Sequence, residues 1–408
     1  MNRDRAYFLL LNTGHFLDHF FTLIFATVAA LVLVREWGVS YAELLAYAAP
    51  GFFAFGAFAV PAGWLADRWS RDGMMVVFFV GIGLVSIATS YADTPFQVGL
   101  GLFFIGMFAA IYHPVGLAIV TMKWRNTGMR LAANGVWGNL GVASAALITG
   151  YFIDHGGWRM TFVWPGIVSI FVGFCYACLR WNSIWEEHRT PTPKALGTMT
   201  PDYRRALVKV SVIVFLTTAV GSVIFQSTTF ALPKMFDERL SGLAQRIAAA
   251  IADGDVATVI GSLAFVTFAV ASMAQLVVGA NLDRYGPRQV FLVVACIQIG
   301  FFAVSPGLSD SLALATALGF MLGAFGQIPI TDFMIGKMAS GPARARIYGV
   351  RYVVSFTVLA AALPMIAFVH SSWGFDTLFL ILAALGVVIF CAVWLLPREL
   401  PQPVANTT

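Results

Sequence analysis

The chain has 408 residues, 59% of them hydrophobic and only 11% charged, less than half of the roughly 25% usual in soluble domains. With a mean hydropathy of +0.81, it has too few charges to solvate a soluble surface of this size, which excludes a soluble enzyme and a disordered scaffold. The net charge of +5 comes from basic residues spread singly over short loops, so the expected partner is a lipid bilayer and not nucleic acid.

Apolar runs of about 17–25 residues can cross a bilayer as helices, and hydrocarbon offers unpaired backbone groups no other partner. Twelve such spans are predicted, at 7–34, 44–66, 74–92, 96–122, 131–153, 160–179, 210–232, 256–280, 290–308, 312–336, 352–369 and 378–396. The first follows Arg3 and Arg5 with no small-residue cleavage site after it, and reads as a retained span rather than a removed signal peptide. Residues 183–207 are polar, contain Pro191, Pro193 and Pro201, and read as a linker. Six-helix bundles are therefore expected at 1–182 and 208–400, with a tail at 401–408. At about 235–252, Phe236, Leu240, Leu243, Ile247 and Ile251 recur at helical spacing and predict an amphipathic helix between spans seven and eight. Cys175 and Cys178 have a redox or zinc spacing, but within an apolar run and without a second pair they read as packing residues.

Basic residues set orientation. Of the 25 Lys and Arg, only Arg35, Arg159, Lys234, Arg239 and Arg246 fall on one side of this twelve-span arrangement; the other 20 fall on the side of the termini. Both termini are expected in the cytoplasm of a cell whose inner membrane holds the chain.

The two halves repeat. Gly63-Trp-Leu-Ala-Asp67-Arg68 recurs 216 residues later as Gly279-Ala-Asn-Leu-Asp283-Arg284. Pro114 pairs with Pro329, Gly135 with Gly349, and Gly157 with Gly374, at offsets of 215, 214 and 217. Four matches in order near one offset indicate duplication of a six-helix unit, and parallel repeats of this kind build rocking transporters with the site between the halves.

The loop Gly63-x-Leu65-Ala66-Asp67-Arg68-x-Ser70-Arg71 resembles the signature of the major facilitator superfamily, and Gly279 to Arg288 resembles its second copy. Ser70 stands where that signature has glycine, and Asp72 where it has a basic residue. Ala110-Ile-Tyr-His113-Pro114 and Gly138-Asn139-Leu-Gly141 are similar to the fosmidomycin-resistance group of exporters. Leu102 stands where many drug/proton antiporters of the superfamily carry arginine. The resemblance implies an all-α fold of twelve helices, a monomer, and a cavity lined by spans one, four, seven and ten. It gives Gly63, Asp67, Arg68 and Arg71, with Gly279, Asp283 and Arg284, a conformational role, Asp67 pairing across the halves.

An ionisable side chain at the centre of a bilayer costs roughly 2.5–3.5 kcal/mol on insertion scales. Those predicted inside are His15, Asp18, His19, His113 and Asp332, all on spans one, four and ten. His15, Asp18 and His19 share a helix face. At about 1.5 Å per residue, Asp18 lies near the midplane, whereas His113 and Asp332 are expected deeper, toward the cytoplasmic side. Span seven offers Gln226, Ser227, Thr228 and Thr229, and span five Trp137. A histidine titrates over accessible pH, so this set suits a carrier that binds a small-molecule substrate and protons: a secondary transporter of an organic solute, working by proton-coupled efflux. Two alternatives stay open, a solute importer of the same fold and a transition-metal or metal-chelate transporter using His15, Asp18 and His19. The lack of acidic residues on span seven weighs against the second. No phosphate-cradling loop and no nucleophile–base constellation is found, so neither enzyme activity, nor a cofactor, nor a resident metal is expected. A reporter fused at Thr408 should be cytoplasmic and one inserted at Gly254 external; finding both on one side would overturn the twelve-span topology.

Overall fold

The computed structural model describes residues 2–124, 127–185, 201–251, 254–338 and 341–397. Most of the 183–207 linker and the whole 401–408 tail lie outside them. Among the described residues ten helices are long and apolar enough to cross a membrane, beginning with Arg3–Glu36, Tyr41–Arg68, Arg71–Thr89, Pro95–Lys123, Met129–Gly156 and Met160–Ile184. The helix Pro201–Arg239 starts inside the stretch expected to be linker.

Spans eight and nine, and spans eleven and twelve, are each joined without an intervening coil. Val256–Val304 has 49 residues, about 74 Å at helical rise against a hydrocarbon core near 30 Å. It must cross twice, and Gly286, at φ 77° and ψ 160°, divides it before Pro287. Gly374, at φ 74°, divides Gly341–Trp394 in the same way. Both breaks fall between predicted spans, giving twelve crossing segments.

The backbone carries the repeat further than the sequence does. Gly38 and Gly254, 216 residues apart, both adopt positive φ, as do Gly157 and Gly374. Spans four and ten are interrupted at matching places: Pro95–Ala109 gives way to Tyr112–Lys123, and Asp310–Gly326 to Ile328–Met338. Proline removes the bond to the carbonyl four residues back, so Pro114 and Pro329 account for both breaks.

Hydrocarbon does not drive apolar helices together, so close packing relies on small residues. A Cβ on Gly106 would run into the Gly51 carbonyl, fixing span four against span two, and one on Gly141 would meet the Phe16 carbonyl of span one. Gly150 lies against the Ala257 carbonyl and Gly261 against that of Ala146, which joins span five to span eight and hence one half to the other. Polar contacts between the halves, among the described residues, gather at the end opposite the Gly63–Arg71 loop. Arg35 pairs with Asp237 at 2.9 Å and His155 with Asp255 at 3.5 Å. Asp154 accepts from the Thr258 backbone N–H at 2.6 Å.

Asp67, half-exposed, pairs with Arg71 of its own loop at 2.6 Å, and among the described residues no ion pair takes it across the halves. The outer helix spans Ser241–Ala250 and buries Ala244 and Ala248 after Phe236 and Leu240, while Ile251 is exposed. Leu243 and Ile247 are half-buried beside that stripe. Gly106→Val should lower the stability of the detergent-solubilised protein by about 1–3 kcal/mol, read as a shift in thermal unfolding. Gly135→Ala, whose new methyl meets nothing within 4 Å, should not.

Candidate functional site

The break before Pro114 turns Tyr112 and His113 inward against span one. Asp18 is fully buried, and His113 Nε2 lies 3.3 Å from its Oδ2. The three histidine rings pack on one another, with centroids 4.9 Å apart for His15 and His19, 5.3 Å for His15 and His113, and 5.4 Å for His19 and His113. His113 is therefore level with His15 and His19 rather than deeper. Span four runs over Pro95–Lys123, about 44 Å at helical rise against a hydrocarbon core near 30 Å, and its midpoint near Ala109 is about four residues, or 6 Å, from His113.

A buried hydrogen-bond network fixes the cluster. The Asn134 backbone carbonyl of span five accepts from His15 Nδ1 at 2.8 Å. The Asn134 side-chain amide donates to Asn12 Oδ1 and to the Tyr112 hydroxyl, both at 2.9 Å, and that hydroxyl donates to the Leu11 carbonyl at 2.8 Å. The Tyr112 ring stacks on His15 at 4.9 Å. Gly138 completes the wall, since a Cβ there would lie 2.7 Å from His15 Nε2 and 2.9 Å from His19 Cδ2. Asn12, Tyr112 and Asn134 were not singled out from sequence, although Asn12 shares the His15 face three residues earlier. Beside the cluster, Phe21, Phe25, Phe52, Phe55 and Phe230 line a small apolar recess, with Phe55 against the His113 ring at 6.0 Å. Phe230 belongs to span seven, so both halves contribute to it.

The other predicted site residues stand apart. Asp332 is half-buried on Ile328–Met338, and Gln226 and Trp137 are half-buried on their helices. Asp283 is exposed and Arg284 stacks on Tyr285. A second buried carboxylate escaped notice. Asp72 accepts from Tyr7 and Tyr176 at 2.6 Å each and from Arg180 at 2.8 and 3.0 Å, tying together spans one, three and six. Asp72 thus explains its departure from the signature: a basic residue there would face Arg180.

The family model described as Major Facilitator Superfamily matches residues 11–253 and 247–408. Multidrug resistance protein MdtG of Escherichia coli is 25% identical over 361 residues, covering 86% of this chain and 84% of that protein. A gallate transporter of Pseudomonas putida is 23% identical over 140 residues, 34% of this chain and 31% of that one. Among solved structures, a bacterial homologue of the lysosomal transporter Spinster in an inward-facing conformation aligns at a TM-score of 0.73 and 14% identity, over 99% of this chain and 100% of that one. A D-xylose–proton symporter aligns at 0.69 and 13% identity, over 97% and 99%.

The shared hydroxyl and amide make Tyr112 and Asn134 one unit. In a double-mutant cycle of Tyr112→Phe and Asn134→Ala, the combined loss of unfolding free energy should fall short of the sum of the two by at least about 0.5 kcal/mol. Strict additivity would contradict the network.

Proposed function

Because the chain belongs to the Major Facilitator Superfamily, and is thus a multi-pass membrane transporter and not an enzyme, we propose that it exports a small organic solute by alternating access, driven by protons exchanged at Asp18. The observation that carries this reading is the Asp18 carboxylate, fully buried with His113 at 3.3 Å and bordered by an apolar recess to which both halves contribute. A charge held at mid-depth is costly unless water or a counter-charge reaches it, so the charge on Asp18 follows the opening and closing of the cavity. His113, 3.3 Å from the carboxylate, and the His15 and His19 rings packed on it form the polar surroundings of that exchange. The solute sits against the phenylalanine wall.

Export is favoured by the length of the match to MdtG and by the exporter-like segments around His113 and Gly138. The surplus of basic residues on the side of the termini supports a cytoplasmic N- and C-terminus. With that orientation, the cross-half pairs of Arg35 with Asp237 and His155 with Asp255 close the external side, and the Gly63–Arg71 loop lies at the cytoplasmic mouth. The units at 1–182 and 208–400 rock as the moving bodies, and one chain suffices for the cycle.

In proteoliposomes loaded with a solute found by thermal-shift screening, Asp18→Asn should abolish accumulation driven by a pH gradient and keep counterflow exchange, which needs no net proton movement. Undiminished gradient-driven accumulation by Asp18→Asn would refute the coupling role.

A further inference from the structure

The cluster has a donor set that proton exchange alone does not call for. One ring nitrogen each from His15, His19 and His113 lie within 4.8 Å of one another, and the Asp18 carboxylate adjoins the third at 3.3 Å. We infer that His15, His19 and His113 form a binding site for one divalent transition-metal ion of the zinc class, with Asp18, adjoining His113, drawn in as the fourth donor. This inference goes beyond the transport reading and does not require it.

The first argument is the tautomer of His15. A backbone carbonyl can only accept, so the short contact of His15 Nδ1 with the Asn134 carbonyl places the proton of the neutral ring on Nδ1. Nε2 then carries the lone pair. It is buried and has no hydrogen-bond partner among the described residues, and neither Asp18 oxygen receives a hydrogen bond of good geometry. An imidazole oriented by a carbonyl on one nitrogen, with the other directed at the site, is the usual arrangement of a metal-ligating histidine.

The second argument is dimension. Tetrahedral zinc takes its nitrogen and oxygen ligands at about 2.0–2.2 Å, which sets neighbouring donors about 3.3–3.5 Å apart. His113 Nε2 and Asp18 Oδ2 already have that spacing. The histidine nitrogens need only draw together by on the order of 1 Å, which small ring rotations supply. The third is composition: three neutral imidazoles and one carboxylate suit zinc, cobalt or nickel rather than magnesium or calcium, which prefer oxygen. Gly138 leaves the room, and the apolar wall excludes competing water.

The test uses the full chain purified without a polyhistidine tag and titrated with zinc by calorimetry and with cobalt by its visible d–d absorption. One ion per chain is expected, with intense tetrahedral cobalt bands. His15→Ala and Asp18→Asn should each weaken binding at least about 10-fold, while His155→Ala and His370→Ala, at the far end of the bundle, should leave it unchanged. X-ray absorption of the zinc-loaded parent protein, which depends on no variant, should show imidazole nitrogens and carboxylate oxygen in a four-coordinate shell at about 2.0–2.1 Å. Absence of a stoichiometric site, equal loss in the His155 and His370 variants, or a shell without histidine would each overturn the assignment.

Discussion

The structure depends on one constraint: a carboxylate, Asp18, is held at half-depth in a helical bundle with no exposed surface. Water cannot solvate it there, so the surrounding protein must supply its partner, and the partner must stay in place. Three local features of the first half serve this need. Pro114 breaks span four and brings His113 within reach. Gly138 leaves space for two histidine rings against span five. The linked bonds of Asn12, Asn134 and Tyr112 hold spans one, four and five in register around the cluster.

The duplication supplied the framework but not this chemistry. Tyr112, in the break of span four, reaches the Leu11 carbonyl of span one; Gln327, in the break of span ten, reaches the Gly221 carbonyl of span seven at 2.9 Å. The two halves thus brace their broken helix in the same manner. The residue after Tyr112 is His113, whereas the one after Gln327 is Ile328. Ionisable groups concentrate in the first half, and the second contributes Phe230 and hydroxyls. Such a division suits a carrier in which one bundle holds the proton-exchanging groups and the other closes over them.

Fold and spans were legible in the sequence because bilayer thickness and backbone satisfaction leave few solutions, and because the repeat fixed the register of loops such as Gly157 and Gly374. His15, Asp18, His19 and His113 were legible as candidates because ionisable residues are conspicuous in apolar runs. The i, i+3, i+4 spacing also put His15, Asp18 and His19 on one face, but the level of His113 was not legible, since counting rise from the ends of apolar stretches misjudges depth when a helix is longer than the hydrocarbon is thick. Asn12, Asn134 and Tyr112 are ordinary polar residues in such helices, and only three-dimensional proximity shows that they form one network. Asp72 was hidden for another reason: it sits at a predicted span edge, where a carboxylate looks solvated, yet Tyr7, Tyr176 and Arg180 enclose it. Asp67 lies in a loop, and its partner among the described residues is Arg71, four residues away.

The account's central claim is that Asp18 takes up and releases a proton within the buried cluster. Infrared difference spectroscopy of the purified protein during pH titration tests it without knowledge of the substrate, since a protonated carboxyl in an apolar setting has its own carbonyl stretch. The account predicts a carboxyl band that changes with pH and is missing in Asp18→Asn. A titration spectrum of Asp18→Asn identical to the parent's in that region would contradict it.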